Sequence, residues 1–247
     1  MIRLFAAVVF LTLFPGPAGA GSKAEPPVIV IDPGHGGHDS GAKVRGVKEE
    51  DLVLSISKRL KKGLSKTGVR VFLTRSRDEF LTLDQRDRIA NEKGCDLFLS
   101  IHANSARNKK AQGIEIYSLN KATDEASRRL AARENRGVRK KRGEVEALLS
   151  DLLQTAQAEE SVDVALAIKK SLARRGLREV RLKSALFYVL VGAKCPSLLI
   201  ETGFMTNRQE LKKLGSVSHQ DQIADSIAEG VSRYLTELNS GKRRGNL

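Results

Sequence analysis

Tryptophan is absent from the 247 residues, and aromatic side chains make up only 4 % of them. An aromatic platform for stacking sugars is therefore not expected. Cysteine is nearly absent too: Cys95 and Cys195 occur alone, without CxxC or other metal-type spacing, so no cysteine metal site is expected. Beyond residue 20 no stretch approaches the ~20 apolar residues of a membrane-spanning helix, and a soluble mature chain is expected. Acidic residues are in deficit, 29 against 43 basic ones, for a formal charge of +14. Such an excess favours anionic polymers such as nucleic acid, lipid head groups or acidic envelope glycans, or serves general solubility.

What is present begins with a leader. Arg3 gives a positive start, Leu4 to Phe14 is apolar except for Thr12, and Ala18-Gly19-Ala20 supplies a small-residue cleavage site. That is the layout of a secretory signal peptide over residues 1–20, cut after Ala20. Export argues against nucleic acid as the partner. Residues 21–27 read as a linker, 28–238 as one folded domain, and 239–247 as a basic tail.

The 40 % of apolar residues suffices for a core at this length. Strands are expected at 28–32, 69–74, 96–101, 113–117, 186–191 and 197–200. Leu52, Ile56, Leu60 and Leu64 recur at helical spacing, as do Ile223, Ile227, Val231 and Leu235. Thr82 reads as the N-cap of a helix running to about Glu92. Strands alternating with helices predict an α/β fold, a single domain with a twisted, largely parallel or mixed sheet flanked by helices. Residues 119–183 are polar and charged, read as helical without strand signal, and form an insertion between core strands.

Three expected strands end in chemistry-bearing residues, where open α/β sheets place their sites. His35 follows the first, in Asp32-Pro33-Gly34-His35-Gly36-Gly37. His102 ends the third, in Ser100-Ile101-His102-Ala103-Asn104. Glu49, Glu50 and Asp51 open the first helix. Acids there complement the helix dipole; beside two strand-end histidines, one of them completes a two-His, one-carboxylate set suited to Zn²⁺. Glu201 ends the most apolar strand, where burial raises a carboxyl pKa and suits it to proton transfer. His38 and His219 read as surface or structural residues, His38 with an option on substrate.

On DPGHGGHDSGA, KEEDL, SIHANS and IETGF, the chain resembles the N-acetylmuramoyl-L-alanine amidases of the third amidase class, the periplasmic zinc-dependent cell-separation amidases with a regulatory helix. The resemblance runs from about Val28 to Leu238. It implies a zinc-exopeptidase-like sheet and hydrolysis of the amide between N-acetylmuramic acid and the L-alanine of the peptidoglycan stem peptide. It further implies one zinc per chain on His35, Glu49 and His102, with Glu50 the alternative to Glu49, and Glu201 as the catalytic glutamate. Leu149 to Thr155 resembles a helix that occludes the metal in regulated members until an activator, typically a protein with a LytM-like domain, moves it. Asp151 is the candidate occluding acid, with Glu159 and Glu160 as alternates. No membrane insertion is expected after signal cleavage, and the location implied is the periplasm or cell envelope. Cys95 and Cys195 precede His102 and Glu201 by similar intervals, so they pair if the two strands are neighbours. A binding module that keeps the fold, a different zinc peptidase and a polymer-binding protein remain the competing readings.

Overall fold

The computed structural model describes residues 25–136 and 156–240. The leader (1–20), most of the linker, the segment Leu149 to Thr155 with Asp151, and residues 241–247 of the 239–247 basic tail lie outside these residues.

Six strands form one sheet: β1 (Val28–Pro33), β4 (Arg70–Leu73), β5 (Leu97–Asn104), β6 (Ile114–Leu119), β7 (Val180–Ala185) and β8 (Ser197–Phe204), in the order β4-β1-β5-β8-β6-β7. All neighbours run parallel except β6 and β8, which are antiparallel. Every residue of β1, β5 and β8 is buried, as a parallel sheet covered on both faces requires. A two-stranded hairpin, β2 (Lys43–Val44) and β3 (Val47–Lys48), stands apart. It turns through Arg45 and Gly46, both at positive φ, which suits the right-handed twist of hairpin strands.

Alternation along the strands divides the core. Ile29, Ile31, Leu97, Leu99 and Ile101 face the larger cluster. Covering them are α1 (Glu49–Leu64), α4 (Ala156–Arg174) and α7 (Val217–Asn239); the short α6 (Arg208–Leu214) follows β8. Val28, Val30, Phe98 and Leu199 face the smaller cluster, under α2 (Leu83–Glu92), α3 (Glu125–Glu134) and α5 (Tyr188–Val191). Because side chains alternate with period 2, Asp32, Ser100, His102 and Glu201 lie on this second face, at the carboxyl ends of the three central strands. Thr82 caps α2 with a reciprocal bond to Gln85, as the sequence pattern indicates.

Two expectations are corrected. The strand expected at 186–191 is instead the single-turn helix α5, and a strand, β7, lies just before it, inside the stretch read as wholly helical. β7 is an edge strand pairing only with β6. Its Arg181 and Lys183 satisfy Glu115, so the segment lacks the apolar run of a central strand.

Cys95 and Cys195 form a disulfide with Cα atoms 5.9 Å apart. β5 and β8 are indeed neighbours, and the bond sits just before the register pair Phe98 and Ser197. It closes a loop with a sequence separation of 100, and removing a bond of this kind costs about 2–5 kcal/mol. The Cys95→Ser/Cys195→Ser variant is expected to lose that much unfolding free energy, read as a lower urea midpoint. An unchanged midpoint would contradict a stabilising role.

Candidate active site

Near the end of β1 lies a buried Asp32, which accepts from Thr74 Oγ1 (2.6 Å), Arg86 Nη1 (2.7 Å) and Ser100 Oγ (2.9 Å). Burial alone would raise the Asp32 pKa; the Arg86 charge and the Thr74 hydroxyl hold it below the usual carboxylate value. The chain then turns through Pro33–Gly37, with His35 at φ +58°, a left-handed conformation uncommon outside glycine. A bridge between Gly36 and Asp39 closes the turn. Gly34 is required by close approach: a Cβ there would lie 2.4 Å from the His102 ring. The loop thus carries one imidazole and lets the second stand against its backbone, with ring centroids 4.9 Å apart.

His35 Nδ1 donates to Asp39 Oδ2 at 2.9 Å. This leaves Nε2 turned inward, buried and without a hydrogen-bond partner. A carboxylate behind a histidine is the usual way a protein fixes the orientation of a metal-ligating ring, and the sequence reading missed Asp39 in this role. Burial works against the imidazolium, but the charge of Glu49 and the bond to Asp39 outweigh it and push the His35 pKa to about 11. Asp39 is held at about 2, chiefly by its bond with His35.

Glu49 opens α1 and is fully buried. Its Oε1 lies 3.2 Å from both His35 Nε2 and His102 Nδ1 and accepts from Ala103 N at 3.0 Å; Oε2 accepts from Ala42 N at 2.9 Å. Burial would raise its pKa, yet the two imidazoles hold it well below the usual range. Glu50, the alternative ligand, points elsewhere and pairs with Lys48 at 2.9 Å.

A fourth donor was not foreseen. Glu134, the last residue of α3, places Oε2 3.4 Å from His35 Nε2 and 3.6 Å from His102 Nδ1. Donor atoms of His35, His102 and Glu134 all lie within 4.8 Å of one another. Ligands about 2.0–2.2 Å from a tetrahedral metal lie about 3.3–3.6 Å apart. The four histidine–carboxylate separations of 3.2–3.6 Å, with the inward-facing His35 Nε2, are compatible with a metal ion held among these donors. Glu159 and Glu160 lie elsewhere. The start of α4 is tied to the amino end of β8, through Gln157 to Lys194 O and Ser161 to Ser197 N. Glu201 is four residues along that strand, roughly 13 Å away. The two alternates are thus at the wrong end of the sheet for occlusion, and Glu134 is the acid brought to the site. Only its place just after the basic helix surface, in Arg133-Glu134-Asn135, marks it in the sequence.

Glu201 is the register partner of His102 on β5 and of Glu115 on β6. Neither of its oxygens has a hydrogen-bond partner among the described residues. Burial, then the charges of Glu49 and Glu134, raise its pKa well above the usual value, and Arg133 opposes them. A buried carboxyl with no fixed partner is free for proton transfer rather than committed to an ion pair. Glu115, also unforeseen, is satisfied by Tyr117, Asn104 and Lys183.

A groove of about 990 Å³ opens beside these residues, with His35, His102, Arg133 and Glu134 in its wall. His38 belongs to its rim, its ring 3.9 Å from that of Phe80. His219 is on α7, outside this groove.

Residues 29–233 match the family described as N-acetylmuramoyl-L-alanine amidase. The amidase AmiA of Escherichia coli (strain K12) is 39 % identical over 226 residues, 87 % of this chain and 78 % of that protein. The amidase AmiC of Neisseria meningitidis serogroup B is 38 % identical over 88 % of this chain, which spans 55 % of that relative. The crystal structure of N-acetylmuramoyl-L-alanine amidase from Clostridium difficile 630 superposes with a TM-score of 0.64 at 32 % identity, covering 88 % of this chain and 99 % of that one.

Proposed function

The chain belongs to the N-acetylmuramoyl-L-alanine amidase family, and from that premise we propose a zinc-dependent hydrolase that cuts the amide between the lactyl group of N-acetylmuramic acid and the L-alanine of the stem peptide. The observation that carries the reading is the convergence of His35 Nε2, Glu49 Oε1 and His102 Nδ1 beside a partnerless, buried Glu201. His35, Glu49 and His102 would hold the ion; imidazole with carboxylate suits zinc. When bound, zinc lowers the pKa of a water and polarises the scissile carbonyl.

The remaining work falls to side chains. Asp39 keeps His35 in the tautomer that offers Nε2 inward. Glu201 accepts a proton from the attacking water and delivers it to the alanine nitrogen as the C–N bond breaks, leaving the lactyl carboxylate on the glycan. Glu134 stands beside the same two imidazoles and, with a metal bound, would compete with water and the scissile carbonyl for it. We read this as the resting form, closed by α3 rather than by the segment around Asp151. An activator that draws α3 away would open the site and also lift one negative charge from beside Glu201, lowering its pKa. A protein with a LytM-like domain is the class of activator that the resemblance implies.

Export to the periplasm or envelope follows from the leader and the substrate, and cell-wall remodelling with daughter-cell separation is the role proposed. No helix among the described residues is long and apolar enough to cross a membrane. The positive charge suits anionic envelope polymers.

Zinc content measures the first half of this reading. Purified protein is expected to carry one zinc per chain, and His102→Ala to carry none. Full zinc in a folded His102→Ala protein would remove that residue from the ligand set.

A further inference from the structure

Two buried arginines carry no substrate and no metal, yet their hydrogen bonds converge on the backbone that bears the ligands. Arg75 is 1 % exposed and makes no ion pair among the described residues. Its four hydrogen bonds among the described residues all go to carbonyls. Nε donates to Pro33 O (3.0 Å), Nη1 to Arg77 O (3.1 Å), and Nη2 to both Gly34 O (2.7 Å) and Glu50 O (3.0 Å). Arg86, 3 % exposed, donates to Asp32, to Pro33 O (2.7 Å) and to His35 O (2.8 Å). A buried guanidinium is costly to desolvate and is ordinarily matched with a carboxylate. Arg75 is matched instead with the peptide groups flanking His35 and Glu49.

We propose that Arg75 and Arg86 are positioning residues for the metal site. Arg75 Nη2 ties the His35 loop directly to the first turn of α1 and so sets the separation of the His35 and Glu49 donors. Arg86, anchored on Asp32, holds the loop in the left-handed turn that presents His35. The planar fork reaches several carbonyls at once in fixed directions, which a lysine ammonium cannot reproduce. The proposal rests on the metal reading above and adds what pre-forms the site.

The test uses Co²⁺ as the probe, with affinity read by chelator competition and geometry by the visible d–d spectrum, beside unfolding of the metal-free protein. Arg75→Lys and Arg86→Lys are expected to lower Co²⁺ affinity by about 10–100-fold and to alter the spectrum. Thr74→Val, which removes one bond to Asp32, disturbs the same anchor more gently and is expected to shift affinity the same way. The Cys95→Ser/Cys195→Ser variant lowers stability at the far end of the same strands and is expected to keep wild-type affinity and spectrum. Wild-type affinity and spectrum in folded Arg75→Lys and Arg86→Lys would overturn the proposal. Should those variants not fold, wild-type values in Thr74→Val would do so. Equal losses in the disulfide variant would reduce the effect to general stability and overturn it too. A wild-type protein that takes up no Co²⁺ would instead overturn the metal reading itself, and this proposal with it.

Discussion

Replacing Glu134 with Ala is expected to raise basal peptidoglycan hydrolysis, by about 5–150-fold if the closed form is favoured by a typical coupling free energy of 1–3 kcal/mol. The carboxylate stands 3.4 and 3.6 Å from the two ligand imidazoles, and its helix is fastened around it. Arg133 donates to Ser105 O at 2.7 Å. Asn135 donates to Leu186 O and accepts from Tyr188 N. Leu130 and Ala131 are buried in the smaller core. Arg133 also donates to Glu134 Oε1 at 2.8 Å, but the bonds of Asn135 and the burial of Leu130 and Ala131 do not involve the acid, so the variant should fold. Release of dye from labelled peptidoglycan measures the gain, and Glu134→Gln, which keeps the shape and loses the charge, should gain in the same direction. Basal activity that is unchanged or lower in both, with the fold intact, would count against occlusion by α3.

Glu201→Gln is expected to do the opposite: lose turnover by about 10²–10⁴-fold while keeping its metal. The amide matches the carboxyl in volume, so β8 and its register with His102 should persist, but it cannot accept the water's proton. The cleanest setting is the Glu134→Ala background, where occlusion no longer masks the loss. Metal content equal to the parent's, with turnover gone, is the expected pair of results. Retained turnover would remove Glu201 from the proton-transfer role.

The sequence made much of this legible because the sheet is parallel and buried. Near-continuous apolar runs at 28–32, 96–101 and 197–200 read as buried strands, and His35, His102 and Glu201 stand just beyond their carboxyl ends in the sequence. The disulfide was legible only as a condition, that the strands of His102 and Glu201 be neighbours, which the structure meets. What escaped has its own physics. β7 is a polar edge strand whose charges answer Glu115, so its pattern mimics solvent-facing helix. Asp39 acts through one hydrogen bond to His35, and nothing in a single acidic residue on a glycine-rich loop distinguishes it. Glu134 sits on an amphipathic helix among ordinary surface charges. Its part depends on how α3 docks through Leu130 and Ala131, a tertiary fact that no local pattern encodes. Glu159 and Glu160 lie at the amino end of β8, away from the site, and Asp151 lies outside the described residues.

The most direct test of the central claim is digestion of purified peptidoglycan by the Glu134→Ala protein, with products identified by mass spectrometry before chelation, after it and after zinc is returned. The account predicts intact stem peptides with a free L-alanine amino terminus, lost on chelation and restored by zinc. Folded, zinc-loaded protein that releases no such peptides, or that trims the stem from its other end, would contradict it.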